Sequence, residues 1–443
     1  MASAAEQLAA NLNFSALGKA EELKKRIWFT LGALLVYRLG TYIPLPGIDP
    51  NVWEQVFKSQ AGGILGMFNM FAGGGINRMA IFALNIMPYI SASIIIQLLT
   101  TVSKQLEALK KEGEAGRKTI NQYTRYLTVA LATVQAYGIA VGLQGSGNVV
   151  TEPGAFFLVS TTVTLTGGTM FLMWLGEQIT ARGIGNGISL IILAGIVAEL
   201  PAALAGMLEL GRQGALSTAL ILVVLVMAVA VIAFIVFVER AQRRLLIQYP
   251  KRQVGNKMFE GQSSHLPLKL NTAGVIPPIF ASSLLLLPAT IANFNVGTGP
   301  DWLQWIVTQF GHGRPLFLLF YIGMIVFFAF FYTAIVFNPT ETADNLKKHG
   351  GFIPGIRPGE RTAEYIDFVL SRITVVGAIY LAIVCLIPEI LISYAAVPFY
   401  FGGTSLLIVV SVTMDTVAQV QGYLLAHQYE GLIKKSKLKG RRK

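Results

Sequence analysis

The chain is poor in the groups that carry chemistry. Its one cysteine, Cys385, rules out an internal disulfide. Of its four histidines, His265, His312 and His349 fall in connecting segments and His427 at the end of an apolar run, so none makes a zinc motif or activates a buried serine. These absences argue against an intramembrane protease. Charge is scarce as well: Asp, Glu, Lys and Arg make up 13% of the 443 residues, about half of what soluble domains carry. Ion-coupled transporters place carboxylates or basic groups inside their helix bundle. Here only Asp415 lies clearly inside an apolar run, with Arg38 a weaker case. Asp415 reads either as a proton relay or cavity wall, or as a hydrated residue hydrogen-bonded near Gln419, and the second reading is preferred.

What the chain has instead is apolar length. Hydrophobic residues make up 53%, there are 45 glycines, and the mean hydropathy is +0.59. This is the composition of a polytopic membrane protein. Ten windows are long enough to cross: Ile27–Ile43, Ile76–Leu99, Leu127–Leu143, Ala155–Leu175, Ile188–Leu208, Ala215–Val238, Ala273–Ala292, Leu316–Phe337, Ile373–Leu391 and Phe399–Ala426. The fold class expected is therefore all-α, with ten transmembrane helices in two inverted, pseudo-symmetric halves of five. Residues 1–26 form a polar N-terminal segment ending in an amphipathic stretch. Residues 27–208 form the first half, 209–426 the second, and 427–443 a basic tail.

Most of the 35 basic residues collect before span one, between spans two and three, six and seven, and eight and nine, and in the tail. Basic loops mark the cytoplasmic side, so both termini are expected there. The net charge of +12 reads first as topology plus attraction to anionic membrane lipids, although a basic face also suits RNA phosphates. Two connections on that side, 239–270 and 338–372, are longer than a hairpin linkage needs. They are expected to be ordered projections that dock a partner. Arg182 to Gly187 has the spacing G-x-G-x-G without a βαβ context, and reads as a flexible start to span five rather than a nucleotide motif.

The stretch the rest is arranged around is Gly62 to Thr100. The run Ile64, Leu65, Met67, Phe68, Asn69, Met70 and Phe71 would reach only about 12–15 Å as a helix, half a bilayer. Gly73, Gly74 and Gly75 then break it, and a full-length helix is expected over Ile76–Leu99. Such a re-entrant element, 62–75, is tolerated only inside protein or beside a water-filled cavity. An aqueous path without chemistry can be sealed by an apolar constriction. The i, i+4 pairs Ile86 and Ile90, and Ile188 and Ile192, are candidates for it. From the residues alone, a secondary transporter of a small solute remains the alternative.

Motifs across the chain narrow this. Met67-Phe68-Asn69-Met70-Phe71, Ile86 to Ile94, Gly176-Glu177-Gln178-Ile179-Thr180, Arg182 to Ser189, Phe237-Val238-Glu239-Arg240, Gly274-Val275-Ile276-Pro277, Ala343 to Lys348, Pro354 to Gly359 and Phe401 to Leu406 resemble the SecY family of bacterial protein-conducting channels, with a composition typical of its γ-proteobacterial members. The resemblance implies a channel in the bacterial inner membrane that translocates unfolded polypeptides and releases membrane segments sideways. It implies that Ile64 to Phe71 is a plug with Gly73, Gly74 and Gly75 as its hinge. It also implies a pore ring of Ile86, Ile90, Ile188, Ile192, Ile279 and Ile408, and a lateral gate bearing Ser91, Gln97 and Asn271. Arg243, Arg244 and Arg357 would dock a motor or ribosome. Implied partners are SecE, SecG, the ATPase SecA, the ribosome, signal-sequence-bearing polypeptides and membrane lipids, with no cofactor or metal. Asn85 and Pro278, beside the constriction, are positions where individual variation is expected, Pro278 being able to alter the bend of span seven.

Overall fold

A computed structural model of the chain describes residues 21–60, 69, 72–145, 149–214, 217–250, 252–254, 257–259, 263–294, 315–395 and 403–440. Of the expected plug, only Asn69 falls within these, and Ile64, Leu65, Met67, Phe68, Met70 and Phe71 lie outside the described residues. The architecture is helical. Seven helices among the described residues are long and apolar enough to cross a membrane. They correspond to spans three to six and eight to ten. The other three expected spans fall on helices that miss this standard through charge or length. The first helix, α1 (Glu21–Gly40), carries basic residues at both ends, and Met87–Val102 and Ile276–Leu285 are shorter apolar pieces.

The chain divides into two compact units. One comprises Met1–Gly206, Pro288–Gln304 and Val412–Lys443, and the other Met207–Leu287 and Trp305–Ser411. The first unit holds α1, α2 (Pro50–Gln60), α3 (Met87–Val102), α4 (Lys104–Lys111), α5 (Glu114–Gly145), α6 (Ala155–Arg182) and most of α7 (Gly187–Arg212). Its helix α1 runs unbroken through residue 26, so the polar stretch Glu21 to Arg26 is the first turn and a half of span one. Helices α5 and α6 are joined by a bidentate ion pair, with Arg125 Nε donating to Glu177 Oε1 at 3.0 Å and Nη2 to Oε2 at 2.7 Å.

Span two departs from the expected helix over Ile76–Leu99. Residues 72–79 and 81–86 form turns, and the helix starts only at Met87. The backbone accounts for this: Met79 (φ 43°) and Asn85 (φ 48°) are left-handed, which no helix interior accepts, and Pro88 sits in the first turn where its missing N–H costs nothing. Sixteen residues rise about 24 Å, so the turns supply the rest of the membrane depth.

The second unit begins with α8 (Thr218–Arg240), whose N-cap Ser217 accepts the Leu220 N–H. The connection that follows is an antiparallel β-hairpin, β1 (Gln242–Gln248) against β4 (Ser263–Lys269), with short strands β2 (Arg252–Val254) and β3 (Lys257–Phe259) paired beyond them. Helix α9 (Ile276–Phe294) starts span seven and is divided between the two units at Leu287 and Pro288. Pro277 and Pro278 lie in its first turn, where proline needs no acceptor, so Pro278 acts at the start of this helix and not within it. After α10 (Pro315–Val336), Asn338 caps the short helix α11 (Pro339–Lys348) by accepting from the N–H groups of Thr340 and Glu341. Helices α12 (Glu360–Ala395) and α13 (Gly403–Gly440) complete the chain. α13 is divided between the two units at Ser411 and Val412, and it continues as helix into the basic tail.

Candidate functional site

The turn segment 72–86 is the core of the first unit. Ala72, Ile76, Met79 and Ala83 are buried with Leu45, Trp53, Phe57, Leu143, Phe157 and Leu165. Its backbone polar groups find partners inside the protein. Leu45 N–H donates to Met79 O at 2.9 Å, Ile81 N–H to Ile43 O at 3.0 Å, and the Trp53 indole to Ile76 O at 2.7 Å. This is the condition for irregular backbone at membrane depth. Asn69 accepts the Gly74 N–H on its carbonyl and the Asn77 N–H on its side chain, at 3.0 and 2.8 Å.

The glycine triplet sits against charged groups from two helices. Gly73 (φ 60°) and Gly74 (φ 78°) are left-handed. A Cβ on Gly73 would come within 3.0 Å of the Gly195 backbone, and one on Gly74 would strike Glu199 Oε1. The Gly73 carbonyl accepts from Arg38 Nη1 at 2.6 Å. Arg38 also reaches Tyr42, whose ring lies 4.8 Å from its guanidinium and 4.0 Å from that of Arg78. The weaker intramembrane charge of the sequence is thus a structural clamp on the expected hinge. Asp415, by contrast, is exposed on α13.

All six candidate constriction residues fall at or within the first two turns of a helix. Ile86 is the N-cap residue of α3 and is almost fully buried, Ile90 is buried in the next turn, and Ile90 N–H donates to Ile86 O at 3.1 Å. In α7, Ile188 is half-buried and Ile192 buried. In the second unit Ile279 is half-buried in the first turn of α9, and Ile408 is wholly buried in α13. The gate candidates differ in how they are engaged. Ser91 is buried on α3. Gln97 donates through Nε2 to Ser93 Oγ at 3.4 Å, and its Oε1 is buried without a partner among the described residues. Asn271 is committed within its own unit: its amide donates to Glu239 Oε1 at 2.7 Å and to Gly274 O at 3.0 Å. That bond lies at the base of the hairpin, where Leu270 N–H also meets Ala241 O. The role of Glu239 was hidden in the sequence, because 32 residues of hairpin separate it from Asn271.

The two basic connections of the second unit form one structure. Gln248 and Phe352 exchange both backbone hydrogen bonds, at 2.9 and 3.0 Å. Leu245, Leu268, Ile353, Ile366, Val369 and Ile373 make a shared apolar core. Arg243, Arg244 and Arg357 are all exposed. Strand alternation separates the first two, since Arg243 shares its face with the buried Leu245 while Arg244 points to the opposite face with Leu246. In the first unit, on α4, Lys111 pairs with Glu107 at 2.8 Å and holds its exposed carboxyl below the usual carboxylate range.

With this geometry in hand, comparison with known proteins is decisive. The SecY family model matches residues 80–417. A protein translocase subunit SecY from Escherichia coli K12 is 58% identical over 430 residues, covering 96% of this chain and 97% of that protein. This chain belongs to the SecY family. The family is one of protein-translocation channels and not of enzymes, and nothing in the comparisons favours a small-solute transporter. Solved structures share the fold at low identity. One, in which the plug domain of the SecY protein stabilises the closed state and maintains a membrane seal, matches with TM-score 0.60 at 17% identity over 90% of this chain and 92% of that one. Another, Sec61 in the canine ribosome-channel complex, matches with TM-score 0.57 at 15% identity over the same shares of the two chains.

Proposed function

We propose that this SecY-family channel is closed by two successive barriers and works on the bacterial inner membrane with both termini in the cytoplasm. The first barrier is the plug, 62–75, held at its C-terminal end by Arg38 on Gly73. The second is the ring of Ile86, Ile90, Ile188, Ile192, Ile279 and Ile408. Branched aliphatic groups close against water and ions, yet offer an extended polypeptide no specific hydrogen bond, so they yield without selecting sequence. Ser91, Gln97 and Asn271 serve the lateral gate. The buried, unpartnered Gln97 Oε1 supports this role, because an unsatisfied acceptor makes the closed state easier to leave.

The exposed arginines on the joined hairpin and α11–α12 connection suit SecA or the ribosome, with Arg357 as the central contact. SecE and SecG complete the complex by analogy with the family. The observation that carries this reading is the full-length match to a translocase subunit, combined with isoleucine at all six ring positions, which fall on the starts of four helices. Vesicles holding the chain with its two small partners should import a signal-sequence-bearing protein when supplied with SecA and ATP. A cysteine at residue 192 or 408 should crosslink to that protein when it is stalled in transit. Import without crosslinks at either position would remove the ring from the path.

A further inference from the structure

The connection Gly183 to Asn186, which joins α6 to α7, is held by side chains from several helices. Gly183 N–H donates to Ile179 O at 2.7 Å. Ile184 N–H then donates to Thr30 Oγ1 at 3.1 Å, Gly185 N–H to Gln419 Oε1 at 2.9 Å, and Gly187 N–H to Thr180 Oγ1 at 2.9 Å. Those three acceptors are side chains on three different helices: α1, α13 and α6. Arg26 adds a donor to the Gly183 carbonyl at 3.4 Å and stacks over the Tyr423 ring at 5.2 Å. Ile184 is buried with Leu23 and Leu424.

The glycines are required by this crowding. Gly185 is left-handed (φ 85°), and a Cβ there would lie 2.9 Å from Leu190 Cδ1 and 3.3 Å from Thr416 Oγ1, while a Cβ on Gly187 would strike the Gly176 carbonyl. Asn186 then caps the new helix, its Oδ1 accepting the Ile188 N–H at 3.1 Å. The spacing that read as a flexible helix start is a fixed one.

We infer that Gln419 and Thr30 are positioning residues for the pore ring: they fix the loop that sets the height and rotation of the first turn of α7, and with it Ile188 and Ile192. The inference rests on the ring reading above. An apolar seal fails when its side chains shift by about the radius of a water molecule, roughly 1.4 Å, and isoleucine makes no directional bond that would hold it in place. Directional bonds must therefore act on the backbone that carries it. A first helical turn has N–H groups without intrahelical partners, so the residues just before it are where such bonds have most leverage.

The test is resting ion conductance of the complete complex in planar bilayers, normalised per assembled channel. Gln419→Leu keeps the bulk and removes the acceptor. It should raise the leak roughly fivefold, the shift in a closed-to-open ratio expected from losing one hydrogen bond. Adding Thr30→Val should raise it further, and Gln419→Glu, which retains an acceptor, should restore the seal. Ile192→Asn is measured alongside. If Ile192→Asn leaks and Gln419→Leu does not, the positioning role is overturned while the ring stands. If Ile192→Asn does not leak, the ring reading falls and the inference with it. A loss of complex yield with unchanged leak per channel would show that Gln419 serves assembly only.

Discussion

Two stretches interrupt the helices of this chain, and they solve the same problem in opposite ways. The segment 72–86 is largely buried, and beyond the bonds of its own turns its backbone groups are satisfied by the rest of the first unit: by Arg38, Ile43 to Leu45, Trp53 and Asn69. Among its described residues, the hairpin 242–269 in the second unit satisfies itself through a seven-residue ladder and takes a backbone partner from elsewhere in Phe352. One face of it is buried and the other exposed. Irregular backbone at membrane depth is therefore bound to the stability of its whole unit, whereas irregular backbone in water can be stable by itself.

The largest effect expected from this contrast is at Gly168 of α6, where a Cβ would strike the Ile81 carbonyl. Gly168→Val must move backbone rather than a side-chain tip, and should cost about 3 kcal/mol. The measurement is the melting temperature of the purified complex, which should fall as a whole. Next is Leu268→Ala, which opens a cavity in the core beneath the hairpin at a cost of about 2–4 kcal/mol. Limited proteolysis should show the hairpin cut faster while the melting temperature of the complex hardly moves. If the melting temperature fell as it does for Gly168→Val, the contrast would be broken.

Trp53→Phe should cost about 1–3 kcal/mol, because it leaves the buried Ile76 carbonyl without its donor. Its destabilisation should appear in global melting too, which sharpens the claim that the turns depend on their surroundings. The smallest effect expected is Leu246→Ser on the exposed hairpin face, within about 0.5 kcal/mol by the same proteolysis assay. A larger loss would mean that this face is covered in the assembled complex.

Much of the architecture was legible. The apolar windows fell on helices because twenty apolar residues in a row have few other uses, and the glycine triplet lies where the chain leaves helical geometry. The two long connections were recognisable as ordered by their prolines and turn residues, though not as β-structure, since β1 reads Gln-Arg-Arg-Leu-Leu-Ile-Gln and only its burial alternates cleanly. The start of span two was misread by eleven residues, from Ile76 to Met87. Met79 and Asn85 adopt φ values that apolar periodicity does not report. Of the site, the isoleucine pairs followed from i, i+4 spacing, while Ile279 and Ile408 came only through family resemblance. Asn186 before Gly187 was a readable cap signal for the rigid start of α7, yet Thr30 and Gln419 lie more than 150 residues from the loop they hold.

Composition and hydropathy determined by themselves that the chain crosses a membrane many times through mostly helical spans. That follows because each span must satisfy its own backbone in an apolar solvent. Tertiary structure alone decided where that rule is suspended: which carbonyl Arg38 takes up, which side chains close the Gly183 to Gly187 loop, and which face of the hairpin meets its neighbour. Those bonds join residues distant in sequence, and a long-range hydrogen bond leaves no periodicity in the residues that make it.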